Sequence, residues 1–244
     1  MKTITKVLGL ALLLCTVGAN ADSIKNINGK AALRQDKDRQ VSNFTSVAVS
    51  GSITAIVKIG NSENVRLEGD ADVLAEIVTE VKNGVLIIRP STKWKNWNKK
   101  FDRSKVTAYI TTKKLTSVTL SGSGSIDVQS PVTANEFSTT LSGSGSIKVA
   151  ANVKSLSAVI SGSGNINTSG KSNDVDITIN GSGNFNGKSM QAETVSAVIS
   201  GSGSAYIAAN KKIDAVTSGS GVVYYTGNPS IEKTVVGSGG VRKN

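Results

Sequence analysis

The sequence predicts an all-β chain folded as a right-handed parallel β-helix, a solenoid with coils of about 18–21 residues and an atypical N-terminal β cap. Three observations carry this prediction. A Gly-Ser-Gly triplet recurs seven times, with first glycines at Gly122, Gly143, Gly162, Gly181, Gly201, Gly219 and Gly237, in steps of 21, 19, 19, 20, 18 and 18 residues. The flanks of each triplet alternate apolar and polar residues with period two, the signature of strands. Finally, the repeated glycines cost too much to be there without a structural reason.

Alone, Ser-Gly-Ser-Gly reads as a flexible linker, and the flanks exclude that reading. Two residues before each first glycine stand Leu120, Leu141, Ile160, Ile179, Ile199, Thr217 and Val235, and six before stand Thr116, Phe137, Leu156, Val175, Val195, Ile213 and Ile231. Two residues past the second glycine stand Ile126, Ile147, Ile166, Phe185, Ala205, Val223 and Val241. One face therefore runs apolar, apolar, Gly, Gly, apolar, while serines such as Ser121, Ser123 and Ser125 lie on the other. A glycine inside a strand costs roughly 0.5 to 1 kcal/mol relative to alanine, so the seven triplets together cost about 7 to 14 kcal/mol. A bend in each coil with no room for a β-carbon, or with backbone angles that only glycine adopts freely, accounts for that cost. Stacked about 4.8 Å apart, the inward columns merge into one apolar core, and parallel coils of L-residues wind right-handed.

The chain begins with Lys2 and Lys6, an apolar run from Val7 to Val17, and Ala19-Asn20-Ala21. These are the three parts of a secretory signal peptide, so residues 1–21 are expected to be removed and the rest exported. The run is too short for a transmembrane span. Cys15 raises a lipid-anchored alternative, which Leu14 in place of a small residue disfavours. It is also the single cysteine of the chain, so residues 22–244 can form no disulfide.

Residues 22–40 are polar and without periodicity, and read as a flexible leader. Residues 41–243 read as a single domain, with the cap and first coils over 41–115 and the triplet repeats over 116–243. Within the cap, Phe44 to Ile59 reads as one long strand carrying a degenerate triplet at Gly51, and Asn64 to Glu68 as a second. Ala71 to Glu76 reads as one helical turn. Ile77 to Lys82, the turn Asn83-Gly84 and Val85 to Arg89 read as a hairpin. Val106, Ala108 and Ile110 begin the strand that leads into the repeats. Lys233, Arg242 and Lys243 place charge at the far exposed edge.

The Asp70-Ala-Asp72-Val-Leu element, the Val81-Lys-Asn-Gly84-Val-Leu-Ile hairpin and the recurring Ser-Gly-Ser-Gly-Ser-Ile, followed by Ser-Gly-Ser-Gly-Asn165-Ile-Asn167, resemble the head GIN domain family, named for autotransporter adhesin heads. The resemblance covers about Val41 to Val241. It implies a secreted or envelope β-helical protein, and it brings no catalytic residues with it. The residues after Gly240 could not form a translocating barrel, so an adhesin of this sequence is expected not to export itself.

The chain has no histidine, which excludes a Ser-His-Asp triad and histidine metal sites. No cofactor is expected. Some β-helix enzymes cleave acidic polysaccharides with clustered carboxylates, and the column five before each first glycine brings Asp214 beside Glu232. That pair stands at the last coil without further carboxylates or aromatic platforms, and reads as structural. Ser182-Gly-Asn-Phe-Asn-Gly187-Lys188-Ser189 approaches a phosphate-binding loop but lacks its first glycine and lies between strands, where no helix N-terminus can hold phosphate.

One stretch has binding character. Arg89 to Lys105 holds seven basic residues against one acidic and both tryptophans of the chain, whose net charge is +11. Lys93, Trp94, Lys95, Trp97, Lys99, Lys100 and Arg103 combine cations with indoles, a mixture suited to acidic glycan, lipopolysaccharide or another polyanion. Nucleic acid is the least suited to an exported chain. The plainer reading is a solvated hairpin tip whose tryptophans fold back onto the cap. The outward Ser, Asn and Thr columns form a second, uncharged surface able to meet a glycan or another envelope protein, or simply to keep the coil soluble. The sequence therefore points to an exported, non-enzymatic binding and structural module, adhesin-like and periplasmic, cell-surface or secreted. The alternative is a polysaccharide-degrading enzyme on the same scaffold.

Overall fold

The computed structural model describes residues 34–91 and 105–244. Sixteen strands and one four-residue helix make up the described chain, and all the strands join one continuous hydrogen-bonded sheet. The strands from β9 (Ser125–Gly143) through β10 (Ser146–Gly162), β11 (Asn165–Gly181), β12 (Asn184–Gly201) and β13 (Ser204–Gly219) pair in parallel, each with the next. Each spans nearly a whole coil, and the first glycines are partners throughout, Gly143 with Gly162, Gly162 with Gly181, and Gly181 with Gly201. The predicted solenoid is therefore present, with the triplet as its corner.

Two physical requirements fix the two glycines of each triplet. Gly162 has φ +121°, a left-handed conformation that side chains resist. A β-carbon at Gly164 would lie 2.6 Å from both the Gly145 carbonyl oxygen and Leu141 Cδ2. The first glycine thus makes the turn, and the second lets successive coils close on each other. Instead of bonding within its own turn, each corner bonds to the coil before it: the N–H groups of Ser163 and Gly164 both donate to the Gly143 oxygen at 3.0 Å.

Each coil presents two principal faces. The first contains the strands that end at a corner: β2 (Ser46–Gly51), β8 (Ser117–Gly122), the last parts of β9 to β13, and β15 (Ser230–Gly237). The second contains the strands that follow a corner: β3 (Thr54–Ile59), the first parts of β9 to β13, β14 (Val222–Thr226) and β16 (Gly240–Lys243). Between them lies the core, a dry ladder in which Leu120, Leu141, Ile160, Ile179 and Ile199 stack beside Ile126, Ile147, Ile166 and Phe185, all at most 1% exposed. Coil lengths vary because extra residues leave the ladder as bulges. Gln129 to Pro131 stand opposite the single Ala150, and Gly187 and Lys188 stand opposite Thr168.

The N-terminal part differs from its reading in three respects. Phe44 to Ile59 is two strands, β2 and β3, because Gly51 (φ +88°) already turns a corner; Ile53 occupies the place of the second glycine and is fully buried. An isoleucine fits there because no triplet stacks beneath it. Second, coil order is not chain order. The β2–β3 coil lies between the one formed by β6 (Val85–Pro90) and β7 (Thr107–Thr112) and the one formed by β8 and β9. Third, residues 34–39, within the stretch read as a flexible leader, form β1 (Arg34–Arg39), antiparallel to β4 (Asn64–Asp70), which is in turn antiparallel to β7. The side chain of Arg39 holds β1 in place by donating to the carbonyls of Leu74 and Ile77 at 3.1 and 3.3 Å.

The predicted helical turn is α1 (Ala71–Leu74), and the predicted hairpin is β5 (Ile77–Lys82) with β6, joined through Asn83 (φ +51°) and Gly84 (φ +75°). These elements close one end of the stack. Among the described residues nothing covers the last coil at the other end, where Val235 and Val236 are 37% and 66% exposed. There Lys233 stands in register with the buried Ala215, on a column that otherwise faces the core. An inward-facing charge on an edge strand opposes further pairing.

Candidate functional site

Of the sequence-predicted binding stretch, Lys93, Trp94, Lys95, Trp97, Lys99, Lys100 and Arg103 lie outside the described residues. Its two ends are anchored at the capped end of the stack. The Ser91 N–H donates to the Glu76 carbonyl at 2.8 Å, and Val106 is buried beside the exposed Lys105. The Arg89 guanidinium lies 3.2 Å from Glu80, which Lys82 also reaches at 2.8 Å. The hydrogen bond from Lys82, and then that from Arg89, holds the Glu80 carboxyl below its ordinary value despite partial desolvation.

The register brings Asp214 and Glu232 together as expected. Glu232 is, however, bound by Lys212 at 2.9 Å, and this hydrogen bond raises the lysine's pKa. On another part of the surface Glu193 accepts from Lys211 at 3.0 Å and from Asn210 at 3.2 Å, and its pKa falls, chiefly through Lys211. A general acid at neutral pH needs the opposite shift. Among the described residues no three His, Cys, Asp or Glu side chains gather in a manner able to hold a metal ion. The phosphate-loop look-alike is strand from Asn184 onward, with Lys188 turned to the ring of Tyr206.

The structure adds a strip that the sequence reading missed. Five residues beyond each first glycine, side chains leave the second face outward, and the register joins them in one column: Asp127, Lys148, Asn167, Asn186, Tyr206, Tyr224 and Arg242. Asn186 donates its amide to Asn167 Oδ1 at 3.2 Å, and in the adjoining column Asn184 donates to Asn165 Oδ1 at 3.1 Å. The rings of Tyr206 and Tyr224 stack with centroids 4.8 Å apart and planes 9° from parallel, which is the spacing of the coils themselves. Lys188 Nζ stands 4.6 Å from the Tyr206 ring centre. The strip was legible from spacing, since Tyr206 and Tyr224 are one 18-residue period apart. Side by side, these groups present amides, phenols, cations and one carboxylate at regular intervals, equipped for hydrogen bonding and charge.

Among the described residues no helix is long and apolar enough to cross a membrane. Several solved structures share the fold. A "putative adhesin" from Bacteroides fragilis is 22% identical with a TM-score of 0.78, covering 86% of this chain and 97% of that one. A "putative lipid binding protein" from Parabacteroides distasonis is 24% identical with a TM-score of 0.70, covering 86% and 96%. A "putative adhesin" from Parabacteroides merdae is 20% identical with a TM-score of 0.68, again covering 86% and 96%. No curated protein matches the chain. The family model described as "Putative auto-transporter adhesin, head GIN domain" matches residues 43–229, and the chain belongs to that family.

Proposed function

We propose that the protein is an exported, non-enzymatic binding and structural module of the cell envelope, adhesin-like, whose ligands are anionic or glycan polymers. The observation that carries this reading is the arrangement of the outer faces: polar side chains repeat once per coil along the stack, and the carboxylates that shift, Glu80 and Glu193, shift down against lysine partners. A repeating surface suits a repeating ligand, and carboxylates held ionised by lysines do not suit proton transfer. The family and its adhesin-named structural neighbours agree with a binding role. The signal-peptide pattern of residues 1–21 accounts for export.

In this reading the basic stretch between β6 and β7 makes the first, long-range contact with a polyanion such as lipopolysaccharide or acidic glycan. The test is retention of residues 22–244 on immobilised heparin and lipopolysaccharide. Wild type is retained and elutes with salt, and a variant carrying Lys93→Gln, Lys95→Gln, Lys99→Gln and Lys100→Gln elutes at distinctly lower salt. Failure of wild type to be retained on either matrix overturns the reading.

A further inference from the structure

We infer that the strip from Lys148 to Arg242 is a binding site for an acidic polysaccharide lying along the solenoid axis. This rests on the binding-module reading and names a second site for it, on the second face of the coils.

Three features point to such a ligand. The first is repetition. Lys148, Asn167, Asn186, Tyr206, Tyr224 and Arg242 occupy successive coils, so five steps of about 4.8 Å give a strip of roughly 24 Å. A single small molecule would use only a fraction of it, whereas an extended polymer meets a new side chain at each coil. The second feature is charge. Lys148, Lys188 and Arg242 belong to the second-face strands from β10 to β16, and the outward columns on either side of the strip, such as Ser146, Asn165, Asn184 and Ser204, contain no carboxylate. Asp127 precedes the strip on β9. With Lys148 beside Asp127, the cations Lys188 and Arg242 leave the track with a net positive charge, which favours a chain bearing carboxylate or sulfate at intervals.

The third feature is the chemistry of the uncharged members. Side-chain amides offer both donor and acceptor to vicinal hydroxyls, and the Asn165–Asn184 and Asn167–Asn186 ladders set two such rows side by side. Because Tyr206 and Tyr224 stack face to face, they turn ring edges, not faces, toward the ligand. Ring edges carry the positive side of the quadrupole, so the stack itself favours an anionic group. A shallow groove bordered by Asp127, Lys148, Asn167, Ser169, Asn186 and Ser189 runs along the start of the strip. A lone sugar platform would instead leave an aromatic face open.

The experiment is calorimetric titration of residues 22–244 with oligogalacturonates of graded length and with neutral dextran of matched length. The expected result is binding to the acidic oligomers that strengthens up to about five or six sugars, weakens with salt and is absent for dextran. A strip variant, Asn186→Ala with Tyr206→Ala, is expected to bind at least tenfold more weakly with an unchanged circular dichroism spectrum. A second strip variant, Lys148→Gln with Arg242→Gln, leaves the aromatic stack in place and is expected to lose affinity and salt dependence together. Equal affinity for dextran, no binding of acidic oligomers, or full affinity in both strip variants each overturns this site. If heparin retention survives in any of those cases, the binding-module reading stands without it, and if wild type is retained on no anionic matrix, that reading fails separately.

Discussion

A β-carbon on Gly162 would lie 2.6 Å from the carbonyl oxygen of Gly143, the oxygen that already accepts hydrogen bonds from Ser163 and Gly164. Corner glycines therefore hold each coil against the one before. Gly162→Ala is expected to destabilise the fold by about 2–4 kcal/mol, from the left-handed conformation and the displaced hydrogen bonds together. Gly84, also at positive φ, has nothing within 4 Å of the added carbon, and Gly84→Ala is expected to cost only about 1–2 kcal/mol. Thermal midpoints of the two variants check the difference, which vanishes if the triplets are not stacked.

Among the described residues three buried hydroxyls lack a partner, Thr79 Oγ1, Thr168 Oγ1 and Thr217 Oγ1. Thr217 occupies a column otherwise filled by Leu120, Leu141, Ile160, Ile179 and Ile199. Thr217→Val is expected to stabilise by about 1 kcal/mol, because a buried hydroxyl without a partner forfeits its hydration. Thr112 provides the contrast: its hydroxyl lies 3.2 and 2.9 Å from the Phe44 and Lys114 carbonyls. Thr112→Val is therefore expected to destabilise, and opposite shifts in thermal midpoint would confirm the pair.

At the uncovered end, Lys233→Val would complete an apolar underside with Ile231 and Val235 and remove the charge that opposes pairing. The variant is expected to associate with rising concentration in sedimentation velocity, while wild type does so less or not at all. Identical behaviour of the two would show that Lys233 has no protective role.

Glu80 and Glu193 have folded pKa values below the ordinary 4.5. Their contribution to stability is present above pH 4.5 and is lost as pH falls through the lowered folded values. Lys212 is raised above 10.5 by Glu232, so its contribution is present below pH 10.5 and is lost as pH rises further. Both effects are small because the pairs are exposed and screened. Glu80→Gln is expected to flatten the acid limb of the stability profile in low salt and to leave the alkaline limb unchanged.

Corners and core were readable because the same physical requirement recurs seven times and each recurrence confirms the others. The cap was less so, since β2 and β3 are inserted between coils formed by later parts of the chain, an order set by tertiary pairing that no local pattern records. β1 reads as leader because its sequence, Arg-Gln-Asp-Lys-Asp-Arg, lacks alternation; it is ordered by main-chain pairing with β4 and by the side chain of Arg39. The Tyr206–Tyr224 stack is legible once the coils are aligned on their corners, but it sits in an outward surface whose commonest residues are Ser, Asn and Thr, which read as uncharged and without aromatic character. Its adjacency to Asn186 is set by the corner, since Asn186 and Tyr206 both lie five residues past a first glycine, and the bulge from Lys188 to Met190 realigns only the residues that follow.

The stack itself is tested most directly by the distance between spin labels at Ser142→Cys and Ser218→Cys in residues 22–244. The register passes from Ser142 through Ser161, Asn180 and Ser200 to Ser218, which is four coil steps, or about 19 Å. Double electron–electron resonance is expected to give a narrow distribution near that value. A broad distribution centred at roughly 45–50 Å, as for a flexible chain of that length, would contradict the solenoid and the binding strip built on it.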